Sequence, residues 1–147
     1  MAQGTILYIE DDEDSRTLVE SILARAGYRV LVAGRALQGI DLARQHTPDL
    51  ILVDINLPDL SGREIALRLR SDPRLANAPI VALTACTDQA DREKTLIAGV
   101  TGYLTKPIDV RTLPETISGY LHGKRDTIAE EAADGAREAF GRELIDR

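Results

Sequence analysis

The sequence predicts an α/β fold: a parallel sheet of five strands with helices on both of its faces. Three observations carry that reading. Up to residue 122, short apolar runs alternate with stretches of helical periodicity, the signature of repeated strand–helix–strand units. Leu50-Ile51-Leu52-Val53 is apolar at every position, as expected of a central strand covered on both sides. Finally, the strand runs end on polar residues, Glu10, Asp54, Thr84 and Lys106, so polar chemistry collects at strand ends.

The first strand, Ile6-Leu7-Tyr8-Ile9, runs into Glu10-Asp11-Asp12-Glu13-Asp14, five carboxylates in succession. Helical spacing begins at Ser15: Leu18, Val19, Ile22, Leu23 and Ala26 form one apolar face, and Gly27 suits a C-terminal end. Arg29–Ala33 reads as the second strand, and Ala36, Leu37, Ile40 and Ala43 mark a helix that stops before Pro48. The third strand ends on Asp54. Pro58 and Gly62 hold the loop behind it, and Ser61 with Glu64 forms a capping box for a helix carrying Ile65 and Leu69 on one face.

Ile80-Val81-Ala82-Leu83, entered through Pro79 and ending on Thr84, is the fourth strand. A weakly packed fourth helix is expected over 89–98, with Ala90, Leu96 and Ile97 as its thin apolar face and Gly99 ending it. Gly102-Tyr103-Leu104-Thr105 makes the fifth strand, closed by Lys106-Pro107. After a cap at Asp109, a fifth helix presents Val110, Leu113, Ile117, Tyr120 and Leu121, with Pro114 tolerated in its first turns.

Residues 1–122 therefore make one domain and 123–147 a C-terminal helical extension. In the extension, Asp126 can cap a helix that aligns Ile128, Ala132, Ala136, Phe140 and Leu144, while Gly135 and Gly141 each cost about 1 kcal/mol of helix stability. Such a helix needs a partner, its own domain or a second copy, and otherwise stays a frayed tail.

Composition narrows the function. With 44% hydrophobic residues the chain can bury a sizeable core, and one Phe, four Tyr and no Trp make that core aliphatic. Eighteen basic against twenty-four acidic residues give a net charge of −6 and a pI near 4.9, which speaks against a nucleic-acid or membrane surface. The single cysteine, Cys86, supplies neither an internal disulfide nor a metal cluster. The start shows no leader pattern and no 18-residue apolar run occurs, so a cytoplasmic protein is expected.

In a parallel sheet all carboxyl ends share one rim, the usual ligand edge. Glu10 and Asp11 thus approach Asp54, and Thr84 and Lys106 reach the same rim from the fourth and fifth strands. Three carboxylates in one concavity repel unless a cation compensates. Hard oxygen donors with room for water suit Mg2+. With an ammonium and a hydroxyl opposite, such a site favours phosphoryl transfer, and Asp54 is the natural nucleophile for an aspartyl phosphate.

The segments Ile6–Asp12, Val53–Pro58 with Gly62, Ala82-Leu83-Thr84-Ala85 and Gly102–Pro107 resemble the four signatures of bacterial response-regulator receiver domains, over about residues 4–122. The resemblance implies a doubly wound, flavodoxin-like (βα)5 sheet of strand order 2-1-3-4-5, with the C-terminal helix as an extra. It implies that Asp54 accepts a phosphoryl group from a phosphohistidine on a sensor histidine kinase or histidine phosphotransfer protein. Asp11 and Asp54 would ligate Mg2+ directly, Glu10 through water, and Asn56 through its main-chain carbonyl; Asp12 would be solvated. Lys106 would pair with phosphoryl oxygens across a cis Lys106-Pro107 bond. Thr84 and Tyr103 would act as the switch, Thr84 turning its hydroxyl to the phosphate and Tyr103 following inward. Cys86 and Asn56 fall at positions that, in this family, help set the phosphoryl lifetime.

The resulting expectation is a phosphorylated signalling protein, catalysing only its own phosphorylation and slow dephosphorylation. It would act on a downstream target protein, or on a second copy through the face of the fourth helix or the C-terminal helix. Two other readings compete. An aspartate-nucleophile phosphatase of the haloacid dehalogenase type would need a second Asp two residues after Asp54, where Asn56 stands. A phosphorylation-independent receiver-fold interaction module would not need Glu10, Asp11, Asp54, Thr84 and Lys106 intact.

Overall fold

Five parallel strands, Thr5–Ile9 (β1), Arg29–Ala33 (β2), Leu50–Asp54 (β3), Ile80–Thr84 (β4) and Gly102–Thr105 (β5), form one sheet in the order β2-β1-β3-β4-β5. The structure, a computed structural model, describes residues 3–84 and 99–126. The helix expected over 89–98, Cys86 and the extension beyond Asp126 lie outside the described residues. The helices are Glu13–Arg25 (α1), Ala36–His46 (α2), Gly62–Arg70 (α3) and Leu113–Leu121 (α4), with a short 3-10 turn at Pro73–Leu75. Among the described residues, no helix is long and apolar enough to cross a membrane.

The period of two along each strand splits the core. Leu7 and Ile9 of β1, with Ile51 and Val53 of β3, meet Ala36, Ile40 and Ala43 of α2 and Ile65, Ala66 and Leu69 of α3. Ile6 and Tyr8, with Leu50 and Leu52, meet Val19 and Leu23 of α1 and Leu113, Ile117 and Tyr120 of α4. Each fully buried aliphatic side chain contributes about 1.5–3 kcal/mol. Register fixes the rim: Ile9 lies opposite Val53, Asp54 opposite Leu83, and Thr84 opposite Thr105.

Several local expectations are corrected. Helix α1 begins at Glu13 rather than at Ser15, because the Asp12 carboxylate caps it, accepting from the Ser15 N–H at 2.9 Å and the Ser15 hydroxyl at 2.6 Å. Glu13 and Asp14 then lie in the first turn, where the helix dipole favours negative charge. Leu18 and Leu37, expected in the core, are each 51% exposed, since the buried stripes run through Val19 and Leu23 and through Ala36, Ile40 and Ala43. Asp109 does not cap the last helix. Its carboxylate accepts from the Arg111 N–H and its carbonyl from the Thr112 N–H, a turn that delays α4 to Leu113 and leaves Val110 exposed. The Ser61 cap on the Glu64 N–H is formed at 3.1 Å, while the Glu64 carboxylate pairs with Arg68 at 3.0 Å. Gly27 follows α1 at φ +104°, a conformation side chains rarely adopt.

Candidate functional site

The site is assembled by the ends of β1, β3, β4 and β5. The Glu10 N–H continues the β1–β2 ladder by donating to the Ala33 carbonyl at 2.9 Å, and the Glu10 side chain is only 1% exposed. Its Oε1 accepts from the Tyr8 hydroxyl at 3.1 Å and its Oε2 from the Asp12 N–H at 3.2 Å. Arg16, one turn into α1, donates to the Glu10 carbonyl at 2.8 Å. Asp54, 4% exposed, closes β3, and its Oδ1 accepts from the Asn56 N–H at 2.9 Å.

Lys106 joins the two buried carboxylates. Its Nζ lies 3.0 Å from Glu10 Oε1 and 3.0 Å from Asp54 Oδ2, and its own N–H donates to the Thr84 carbonyl at 2.8 Å. Asp11 is exposed beside them, and one carboxylate oxygen from each of Glu10, Asp11 and Asp54 lies within 4.8 Å of the others. Thr84 is buried at the end of β4. Tyr103 is half-buried against the core on the α2 and α3 side. Pro107 is exposed, and the Lys106–Pro107 peptide is cis as expected.

The electrostatics follow from burial and neighbours. Burial and the adjacent Asp54 push the Glu10 carboxyl above its ordinary range, against the pull of Lys106 and the Asp12 N–H. Burial disfavours the charge of Lys106, but Glu10 and Asp54 outweigh it and raise its pKa, so it stays cationic. Burial, then Glu10, raise Tyr8 far above the usual tyrosine range, so it serves Glu10 as a neutral donor. One lysine against three carboxylates leaves the rim short of positive charge. The all-oxygen donor set, two buried groups and one open to solvent, fits Mg2+, which takes one or two carboxylates and keeps waters.

Sequence reasoning brought Glu10, Asp11, Asp54, Thr84 and Lys106 to one rim, and it placed Asn56 beside Asp54. It missed Tyr8 and Arg16. Tyr8 was signalled by its spacing, two residues before Glu10 and so on the same side of the strand. Arg16 carried only the hint of a cation one turn after an acidic loop. Beside the site a groove of about 500 Å³ is lined by Tyr8, Ser15, Leu18, Val19, Lys106, Pro107 and Ile108, and the exposed Leu18 forms part of its wall.

The model of the response regulator receiver domain matches residues 6–118. This chain belongs to the receiver-domain family. Such domains are signalling modules of two-component systems rather than metabolic enzymes. The polar-differentiation response regulator DivK of Brucella anthropi is 38% identical over 117 residues, covering 80% of this chain and 95% of DivK. The chemotaxis response regulator CheY4 of Vibrio cholerae superposes with a TM-score of 0.77 at 29% identity, over 82% of this chain and 98% of that one. The receiver domain of the sensor histidine kinase PA1611 of Pseudomonas aeruginosa superposes with a TM-score of 0.76 at 34% identity, over 83% and 100%. That structure holds a magnesium ion in its active-site cleft. This receiver therefore shares the doubly wound flavodoxin-like sheet of its relatives, and its own rim carries the acidic cluster of Glu10, Asp11 and Asp54.

Proposed function

We propose that this receiver accepts a phosphoryl group on Asp54 from a phosphohistidine of a sensor histidine kinase or histidine phosphotransfer protein, in a Mg2+-dependent reaction, and signals through protein contacts. An Asp54 carboxylate oxygen attacks phosphorus, the phosphorus–nitrogen bond breaks, and the partner's imidazole leaves. The observation that carries this reading is the pair of buried carboxylates, Glu10 and Asp54, each 3.0 Å from Lys106 with Asp11 open beside them. Burying two like charges is costly, and a polar cluster of this kind is retained for chemistry rather than for stability.

Bound Mg2+ would supply charge neutralisation; Asp11 and Asp54 would hold it directly, Glu10 through water, and Asn56 through its main-chain carbonyl. Lys106, held cationic by its neighbours, turns to a phosphoryl oxygen once Asp54 is esterified. Thr84 directs its hydroxyl to the same group, Tyr103 follows inward, and Pro107 shapes the turn that carries Lys106. This local change is read out as altered surface packing.

The groove formed by Leu18, Val19, Pro107 and Ile108 suits the docking of a kinase or phosphotransfer helix beside the site, since its apolar wall adjoins Lys106. The domain spans 1–122 and acts in the cytoplasm; the extension, 123–147, joins in contacts to a downstream target or to a second copy. The test is intact-protein mass after incubation with acetyl phosphate. A gain of one phosphoryl group that needs Mg2+ and is lost in Asp54→Asn is expected. No gain in the wild type, from acetyl phosphate or from phosphohistidine donors, rejects the reading.

A further inference from the structure

The loop behind Asp54 is tied down at four points. The Asn56 N–H donates to Asp54 Oδ1, Leu57 is buried in the core on the α2 and α3 side, and the Gly62 N–H donates to the Ile55 carbonyl at 3.2 Å. The fourth tie comes from Asp59. Its Oδ1 accepts from the Ala36 N–H at 3.0 Å and its Oδ2 from the Leu37 N–H at 3.1 Å, the first two N–H groups of α2.

A helix ordinarily caps itself from the residue at its own N-terminal boundary. Here that residue is Arg35, extended at φ −139° and ψ 153°, and it makes no side-chain cap. The cap is supplied instead across the fold by the loop that follows the phosphoacceptor. A carboxylate gripping two N–H groups at a helix N-terminus is held by two bonds and by the helix dipole together. The bidentate grip fixes the position of the loop as well as the start of the helix.

We infer that Asp59 is a positioning residue for the metal and phosphoryl site: by clasping the N-terminus of α2 it holds the 55–61 loop, and with it the Asn56 main chain, in place beside Asp54. The inference rests on the reading that Asn56 contributes its carbonyl to the Mg2+ site. It separates two roles that a single substitution confounds, since removing Asp59 both uncaps α2 and frees the loop.

The separating experiment restores the cap from within the helix. Asp59→Ala is compared with Arg35→Asn/Asp59→Ala, in which an asparagine at the N-terminal boundary replaces the lost acceptor without touching the loop. Thermal unfolding, Mg2+ affinity by titration calorimetry and amide hydrogen exchange of residues 55–57 are measured on each. Asp59→Ala lowers Tm, weakens Mg2+ binding by about tenfold, the lower end for loss of an outer-shell support, and speeds loop exchange. The double variant recovers Tm while Mg2+ affinity and loop exchange stay impaired. Recovery of all three together shows that Asp59 is only a cap and overturns the inference. So does an unchanged Mg2+ affinity in Asp59→Ala. Should truncation prevent folding, Asp59→Asn keeps one acceptor oxygen, and the same readouts shift in the same direction by less; unshifted readouts overturn the inference. A wild type that binds no Mg2+ rejects the functional reading itself, and is told apart because the parent protein fails.

Discussion

Neutralising Asp54 should stabilise the protein when Mg2+ is absent. At an effective dielectric near 20, opposite unit charges 3.0 Å apart attract by about 5.5 kcal/mol, which is the Asp54–Lys106 pair. Like charges 4.8 Å apart, the upper bound for Asp54 with Glu10 and with Asp11, repel by about 3.5 kcal/mol each. Asp11 is exposed and its share is screened, so attraction and repulsion nearly cancel. What remains is the desolvation of a carboxylate that is 4% exposed, offset only in part by the Asn56 N–H. Asp54→Asn keeps that acceptor, leaves Lys106 its Glu10 partner, and removes the charge. The expected gain is about 1–3 kcal/mol, set by a desolvation penalty of several kcal/mol per buried ion less its remaining compensation. At about 2–4 °C per kcal/mol for a domain of this size, thermal unfolding in EDTA detects it readily. Saturating Mg2+ should narrow that difference, because a ligand present at 100 times its Kd stabilises the wild type by about 2.7 kcal/mol and the variant by less. An Asp54→Asn protein less stable than wild type in EDTA would refute the reasoning, as would equal stabilisation of both by Mg2+.

Gly102→Ala should destabilise by about 1–3 kcal/mol, read as a lower urea midpoint, because an added Cβ would meet the Tyr120 hydroxyl at 2.7 Å and overpack β5 against α4. Arg70→Met should cost about 2–4 kcal/mol, since each buried carbonyl stranded without a donor costs about 1–3. The Arg70 guanidinium binds the carbonyls of Leu75, Ala76, Ala78 and Gly99, and hydrogen exchange should rise across 72–79 and 99–101 in the variant. Burial pushes the Asp59 carboxyl up, but the Ala36 and Leu37 N–H groups outweigh it and hold its pKa below the ordinary 3.8. The folded state thus binds fewer protons than the unfolded one. The stabilisation from Asp59 is complete above the unfolded value and disappears as pH falls through the lower folded one. Asp59→Asn should therefore flatten the acid side of a urea-midpoint profile; a profile parallel to wild type would contradict this.

What was legible in the sequence was local. Four of the five strands stand where short runs end on Glu10, Asp54, Thr84 and Lys106, and β3 and β4 are buried at every position, because a strand covered on both faces admits little but apolar residues. The acidic rim followed from topology alone, since parallel strands bring their ends together. The errors were of half a helical turn or of chain path. Leu18 and Leu37 sit one step off the buried stripe, and apolarity alone cannot say which side of a helix will find a neighbour. Ser15 looked like a helix start because like charges in succession suggest solvent, yet a helix N-terminus is where acidic residues gain most. The Asp59 contacts, and that of Arg70 with the Gly99 carbonyl, were beyond reach, because they join residues 22 to 29 positions apart through loops whose course no short pattern fixes.

The division of the core by the sheet has an evolutionary consequence. Ile6 and Tyr8 belong to one side and Leu7 and Ile9 to the other, and among the described residues the two sets form separate clusters divided by the strand backbones. Among the described residues, substitutions in one cluster leave the packing of the other in place, so their effects on stability should sum to within about 0.5 kcal/mol. The α1–α4 side can change its surface to suit a new upstream partner while the α2–α3 side keeps the loop behind Asp54 anchored. A family built this way can diversify its pairings one layer at a time, with Asp54 held at the sheet edge between two independently tunable halves.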